Sequence, residues 1–391
     1  MSKQLIFLNS HPIQYFAPLY RQIHAGDRIS LTVIYCSDES IRGKIDKGFG
    51  KEVKWDIPLL DGYESVFLKN RSWKPSIHKG FWGIFNPGII HTLYKKPKCV
   101  VIVHGWAYAT NIMAIVFGKF FGHQVCLRSE TPYNQELQKN KTITFVKHLY
   151  LRFLFLFIDR FLYIGKQNQL FYRSLGVKEK NLVFVPYSVD NKRFREIYAS
   201  TGKSEAAKMT GIPEGKKVIM YSGKYISKKR PLDLLKAFRQ IAGKTDALLV
   251  MVGEGECRPA MEAFIREGDL EGKVILTGFI NQSLIPMYYR AADIFVMCSG
   301  LGETWGLSVN EAMNFGLPVI VSDTCGSAYD LVDNGRNGAV FETGNIDQLA
   351  ALLSEYLEKN DAELIKISNA SFHKIDLYSY DQVIQAIESI T

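Results

Sequence analysis

Residues 302–322 run GETWGLSVNEAMNFGLPVIVS. Glycines bracket Glu303 and Thr304, so the run starts as a loop. Trp305, Gly306 and Leu307 open a short helix with Glu311 about one turn inside it. Gly316 and Leu317 close that helix, and Pro318–Val321 is apolar and β-branched, as a buried strand is. A second apolar run, Ile294–Met297, lies just upstream. Two buried strands joined through a helix make a parallel βαβ unit, whose connection crosses one face of the sheet.

The same alternation extends in both directions. In the second half, strands are expected at Val218–Tyr221, Leu248–Val252, Val274–Leu276 and Ala339–Phe341. In the first half they are expected at Leu5–Leu8, Leu31–Tyr35, Val100–Val103, Val125–Leu127, Phe161–Ile164 and Leu182–Val185. Between strands, Leu234, Leu235, Phe238, Ile241 and Ala242 form one helical face behind Pro231, a residue suited to a first helical turn. At 391 residues the chain suits two domains. The polar stretch 190–217 is expected to divide them, with Rossmann-like α/β domains at 1–190 and 191–375. A last helix, 376–391, is expected to pack back on the first domain. Ligands of open α/β sheets bind beyond the carboxyl ends of the strands, which places the expected site where two such edges face across a cleft.

Two clusters carry chemistry. Glu303 follows a strand in a Gly-rich loop beside Thr304, and the first amides of the next helix, at Gly306 and Leu307, lack intrahelical partners and suit a phosphate or sugar. Glu311 can accept hydrogen bonds from a pair of hydroxyls such as a ribose offers. The second cluster is GKYISKKRP, residues 223–231, directly after a strand. Its Gly223 turn carries Lys224 and Lys229. Fixed cations there stabilise charge that grows on a departing diphosphate more than they stabilise the ground state.

These strings, with VPYSVDNKRF (185–194), VGEG (252–255) and LTGFINQSLIPMYYRAADIFVMCS (276–299), resemble the retaining glycosyltransferases of family 4, which have the glycosyltransferase-B fold. The resemblance covers the second half and reaches back to about Phe161. It implies that Glu303 contacts the donor sugar and Glu311 the ribose. Lys224, where the family usually has Arg, and Lys229 would hold the diphosphate. Backbone near Phe279 and Ile280 would meet the base. It also implies a donor that is a UDP- or GDP-sugar, retention of configuration, and no cofactor or metal ion. The acceptor would be a glycan or a lipid-linked molecule, in the synthesis of a bacterial surface polysaccharide.

The first half matches less well. NSHPIQYFAP (9–18) replaces the family's Gly-rich loop and resembles a variant seen in bacterial polysaccharide glycosyltransferases, with Ser10 and His11 toward the site and a helix from near Tyr15. Where the family often has a His, this chain reads VCLRSET (125–131), so Arg128 or Glu130 stands in for it. His104, also at a strand end, either lines the acceptor side or packs locally.

Charge divides unevenly. Residues 1–190 hold 26 Lys/Arg and 13 Asp/Glu, against 22 and 26 in residues 191–391. A basic half suits an anionic partner. The stretch 141–161, KTITFVKHLYLRFLFLFIDRF, is aromatic with interleaved cations; it reads either as a core helix or as a helix lying on an anionic membrane. The opening apolar run is too short for a signal-peptide core, and no segment suits a spanning helix, so a cytoplasmic protein at or near the membrane face is expected. The six cysteines show no paired spacing. A nicotinamide dehydrogenase is disfavoured because no GxGxxG follows the first strand. A nucleic-acid-binding module would not explain the two glutamates. A sugar-nucleotide epimerase or phosphorylase of the same architecture is the nearest alternative.

Overall fold

The computed structural model describes residues 3–391 apart from 43, 44, 47, 49, 50 and 53. In chain order the strands are β1 (Lys3–Asn9), β2 (Ile29–Tyr35), β3 (Ile45–Asp46), β4 (Lys51–Glu52), β5 (Glu64–Phe67), β6 (Val100–His104), β7 (Gln124–Arg128), β8 (Arg160–Tyr163) and β9 (Leu182–Phe184). They continue with β10 (Val218–Ser222), β11 (Leu248–Val252), β12 (Val274–Leu276), β13 (Ile294–Met297), β14 (Val319–Ser322) and β15 (Gly338–Phe341).

These strands build two parallel sheets in the order β5-β2-β1-β6-β7-β8-β9 and β12-β11-β10-β13-β14-β15; β3 and β4 form a separate antiparallel pair. Each large sheet carries helices between its strands, the doubly wound α/β class expected from the alternation. In each, the winding direction reverses beside the first strand: β1 lies between β2 and β6, and β10 between β11 and β13. The carboxyl ends of those neighbours are where such sheets bind ligands.

The division of the chain is less simple than a single cut. One compact unit comprises residues 1–44, 57–187 and 380–391, and the other residues 45–56 and 188–379. The sequence offered no signal for 45–56 leaving the first unit. The polar stretch after residue 190 holds two helices, Asn191–Ser200 and Lys203–Thr210, ahead of β10. The last helix, Tyr380–Ile390, belongs to the first unit. There Tyr380 donates to the carbonyl of Tyr15 at 2.7 Å and Arg28 pairs with Glu388 at 3.0 Å.

The apolar helical face at Leu234–Ala242 is buried, with Leu249, Met251 and Val296 in the same core. The edge strand β5 was not legible, because its sequence, ESVF, is mostly exposed and short. Residues 141–154 form a helix capped by Asn140, whose side chain accepts from the amides of Thr142 (3.0 Å) and Ile143 (3.2 Å). Within it only Leu151 and Leu154 are buried. Ile143, Phe145, Val146, Leu149, Tyr150 and Phe153 face water, so a core helix is not what forms. Buried Glu136 tethers it through Lys147 at 2.7 Å, and also binds Lys139. Among the described residues, no helix is long and apolar enough to cross a membrane.

Candidate active site

In the second unit, the carboxyl ends of adjacent β10 and β13 carry the two predicted clusters. After β10 the chain makes a tight turn at Ser227–Lys229, passes through a left-handed Arg230 (φ 50°) and enters the helix Pro231–Ile241. The loop after β13 is sewn to that turn: Gly300 N donates to the Lys228 carbonyl at 2.8 Å, and Lys228 Nζ donates to the Gly302 carbonyl at 3.3 Å. This stitching brings Lys229 onto Glu303, whose Oε2 accepts from Lys229 Nζ and from Ser299 Oγ (3.2 Å). Glu303 is only 8 % exposed, so a fixed carboxylate and a fixed ammonium share one low-dielectric spot. An ammonium has three donors, so Lys229 can hold Glu303 and still offer protons to a phosphate.

Gly306 precedes the helix Leu307–Met313 with φ 96°, and a Cβ there would come within 2.5 Å of Met297 Sδ. Only glycine lets the chain turn so close to β13. No hydrogen bond to the amides of Gly306 or Leu307 exists among the described residues. Thr304 packs its carbonyl against Gly326. Glu311 is buried, not on the helix surface, and Tyr289 donates to its Oε2 at 2.7 Å.

The VGEG string also has a steric reason. A Cβ on Gly253 would sit 1.9 Å from the Gly223 carbonyl, and Gly223 N itself donates to the Val252 carbonyl at 3.0 Å. The Gly223–Lys224 turn can therefore lie directly on the end of β11; the Lys224 carbonyl accepts from the Tyr221 hydroxyl at 3.1 Å. Phe279 and Ile280 are half-buried in the loop after β12. That loop is clasped by residues 54–56. Asn281 Nδ2 donates to the Lys54 carbonyl at 2.7 Å, Asp56 accepts from Ser283 N and Oγ, and the Trp55 ring stands edge-on to Phe279 at 5.9 Å. Sequence reasoning missed this clasp, whose residues 54–56 lie 227 positions from their partners, and gave no role to Ser299 or Tyr289, although both stand in the quoted 276–299 string.

In the first unit, the ends of β1, β6 and β7 converge. His104 Nδ1 lies 3.0 Å from Asn9 Oδ1, and its Nε2 lies 3.1 Å from Arg128 Nη1 and 3.3 Å from Glu130 Oε1. Asn9 Nδ2 donates to the Tyr20 hydroxyl at 2.6 Å, which leaves Oδ1 to accept from His104. Burial, with Arg128 nearby, lowers the His104 pKa. Burial would raise that of Glu130, but His104, Arg128 and Tyr187 outweigh it and hold the carboxyl near 2. The Arg128 guanidinium lies over Phe16 and Tyr187, 5.1 and 4.7 Å from their ring centres. Ser10 Oγ lies 2.9 Å from His11 Nδ1, and burial, with His78 nearby, lowers the His11 pKa to about 4. Thus His104, Arg128 and Glu130 form one polar cluster. Ser10 and His11 follow the same β1 whose Asn9 joins it, and their helix starts at Ala17 instead of near Tyr15. Asn9 was the overlooked member, although its place directly after an apolar strand was a usable signal.

Residues 202–371 match the family model described as glycosyl transferases group 1. An uncharacterized glycosyltransferase of Methanocaldococcus jannaschii is 27 % identical over 173 residues, 44 % of either chain. The alpha-monoglucosyldiacylglycerol synthase of Streptococcus pneumoniae is 28 % identical over 202 residues, 49 % of this chain and 44 % of that one. Each match spans less than half the relative's length. Among solved structures, the Anabaena protein HepE in complex with UDP superposes with a TM-score of 0.75 at 14 % identity, covering 100 % of this chain and 99 % of that one. The likeness extends the fold over both units.

Proposed function

We propose, from the match of residues 202–371 to the group 1 glycosyltransferases, that the chain is a retaining glycosyltransferase using a UDP- or GDP-sugar. The observation that carries this reading is the Lys229–Glu303 pair, held at the carboxyl ends of β10 and β13 where the sheet's winding reverses. In the reaction the bond from the sugar's anomeric carbon to the phosphate oxygen breaks, and a bond to the acceptor oxygen forms on the same face. The acceptor's proton passes to the departing phosphate, so no separate protein base is assigned. Lys229 and Lys224 meet the charge growing on the diphosphate, assisted by the Gly306 and Leu307 amides, and no metal ion is assigned. Glu303, with Thr304 beside it, orients the sugar hydroxyls, Glu311 takes the ribose, and the backbone at Phe279 and Ile280 meets the base beside Gly223. The UDP complex of HepE supports a nucleotide donor.

Ser10 and His11 are assigned to the donor, and His104, Arg128 and Glu130 to the acceptor or the outer sugar hydroxyls; the acceptor is a glycan or a lipid-linked molecule, which fits assembly of a bacterial surface polysaccharide. The exposed apolar face of the helix Lys141–Leu154, bordered by Lys141 and Arg152, supports contact with an anionic membrane from the cytoplasm. The name of the pneumococcal relative, a glycolipid synthase, agrees with that. A thermal-shift screen with UDP, GDP, ADP and their sugar conjugates tests the donor reading. Stabilisation by one diphosphate that is lost in Lys229→Ala supports it; no stabilisation of the folded chain by any of them sinks it.

A further inference from the structure

The segment between β5 and the helix Gly88–Lys95 holds two tryptophans out in water. Trp73 is 73 % exposed and Trp82 48 %. Their ring centres lie 5.9 Å apart at 33°, and Phe81 stands edge-on to Trp82 at 5.1 Å. Clustered exposed aromatic surface of this kind marks an interaction site.

The segment is not loose chain that happens to leave rings outside. Asn70 Oδ1 accepts from the amides of Ser72 (3.0 Å) and Phe85 (3.1 Å), and its Nδ2 donates to the Gly83 carbonyl at 2.9 Å. Arg71 N donates to the Phe85 carbonyl at 2.7 Å, and Ser76 N to the Gly83 carbonyl at 3.1 Å. Buried Asn86 ties the base of the segment to the carbonyls of Cys36 and Leu68. The two arms of the loop pack so closely that a Cβ on Gly83 would lie 2.3 Å from the Ser76 carbonyl. A framework with this many bonds presents Trp73 and Trp82 in fixed positions, which lowers the entropy lost when something stacks on them.

Within the segment itself every charged side chain is basic. Lys69, Arg71, Lys74 and Lys79 are exposed, and none has an ion-pair partner among the described residues. No Asp or Glu occurs anywhere from Ser65 to Ser129. The segment follows the carboxyl end of β5, on the same sheet edge as Ser10 and His11. It is bonded to the β6 end as well, where Tyr108 donates to the Ile77 carbonyl at 2.7 Å.

We infer that Trp73 and Trp82 form a platform for an acidic oligosaccharide, sugar rings bearing carboxylates. The flat C–H face of a pyranose stacks on an indole, which offers a large rigid apolar surface at small entropic cost. The flanking guanidinium and ammonium groups meet the carboxylates, Arg71 with the planar fork suited to them. Only the statement that this ligand is the acceptor rests on the transferase reading; the binding itself does not.

Tryptophan fluorescence and calorimetry on the full chain test it, with oligogalacturonate, oligoglucuronate and neutral maltotetraose as probes. Saturable binding of an acidic oligomer is expected, weakened by salt and by about tenfold or more in Trp73→Ala or Trp82→Ala. Trp73 is largely exposed and Trp82 half-exposed, so the variants keep the fold and the UDP- or GDP-induced thermal shift. Equal binding of maltotetraose overturns the acidic specificity. Absence of binding by either acidic oligomer at millimolar concentration overturns the platform. So does a Trp73→Ala defect seen only with vesicles of anionic phospholipid, which would make the rings a lipid anchor. Loss of the nucleotide shift in the unmodified chain tells against the transferase reading and leaves the binding result standing.

Discussion

Tyr289 donates its hydroxyl to the Glu311 carboxylate at 2.7 Å, and both side chains are buried. A carboxylate this deep has given up water, so each protein donor counts. Tyr289→Phe removes the donor and keeps the ring, which lies stacked on Phe315 at 5.7 Å. The variant is expected to lose about 1–3 kcal/mol of stability, read by urea unfolding, because a buried carboxylate loses one of its donors. A change within error would mean that Glu311 draws its support from elsewhere.

Lys229→Ala and Glu303→Gln are expected to lower kcat/KM for transfer on the order of 10²–10³-fold each, the scale of removing one group that meets developing charge. Because the two side chains share a hydrogen bond, the double variant should lose less than the product of the single losses. Strict multiplication of the two effects would argue that they act independently.

The pH dependence of stability has a definite sign at His11. Its folded pKa, about 4, lies below the ordinary 6.5, so the unfolded chain binds the proton more readily. The penalty is absent above pH 6.5, grows as pH falls through the interval between 6.5 and about 4, and is constant below. His104 is shifted the same way, so the contribution of His11 is isolated by difference. The thermal midpoint of His11→Gln should fall less than that of the unmodified chain between pH 7 and pH 4.5. Parallel curves would reject the assignment.

Gly253→Ala should be poorly tolerated. The new methyl would meet the Gly223 backbone carbonyl at 1.9 Å, an atom that cannot rotate away, and φ at 253 is 154°. Overpacking and strain of this kind cost about 1–3 kcal/mol or more. A lower thermal midpoint and a weakened nucleotide-induced shift are expected together, since the same carbonyl belongs to the Gly223–Lys224 turn.

Phe145, Leu149 and Phe153 share the solvent face of the helix Lys141–Leu154. Replacing all three by Ser should reduce sedimentation with vesicles containing anionic lipid, while leaving the fold and donor binding unaltered. The binding should weaken with added salt. Unchanged sedimentation would remove the helix from the membrane reading. A shift from dimer to monomer on substitution would instead assign the face to a second copy of the chain.

Much of this molecule could be read from local sequence, and the exceptions share a cause. Buried parallel strands are apolar along nearly their whole length, so β10, β11 and β13 stand out, whereas β5 is an exposed edge strand with no such run. Glu303 and Lys229 stood in loops at strand ends, a position where charge has a use. The helix Lys141–Leu154 misled because apolar spacing records only that a face exists. Whether that face meets the core or water depends on what packs beside it, and here a buried Glu136 holds the helix by its polar side.

The sequence by itself determined the alternation of strand and helix, the class of sheet, and the residue types offered at the strand ends. Those follow from interactions within a few residues, where period and propensity act. Tertiary structure alone decided that Lys229 meets Glu303 across 74 positions, that Asn9 joins His104 across 95, and that residues 54–56 close on Asn281 and Ser283 across 227. Such pairings depend on which strands become neighbours, and that is settled by burying the whole apolar surface of a sheet at once, not by any short stretch of the chain.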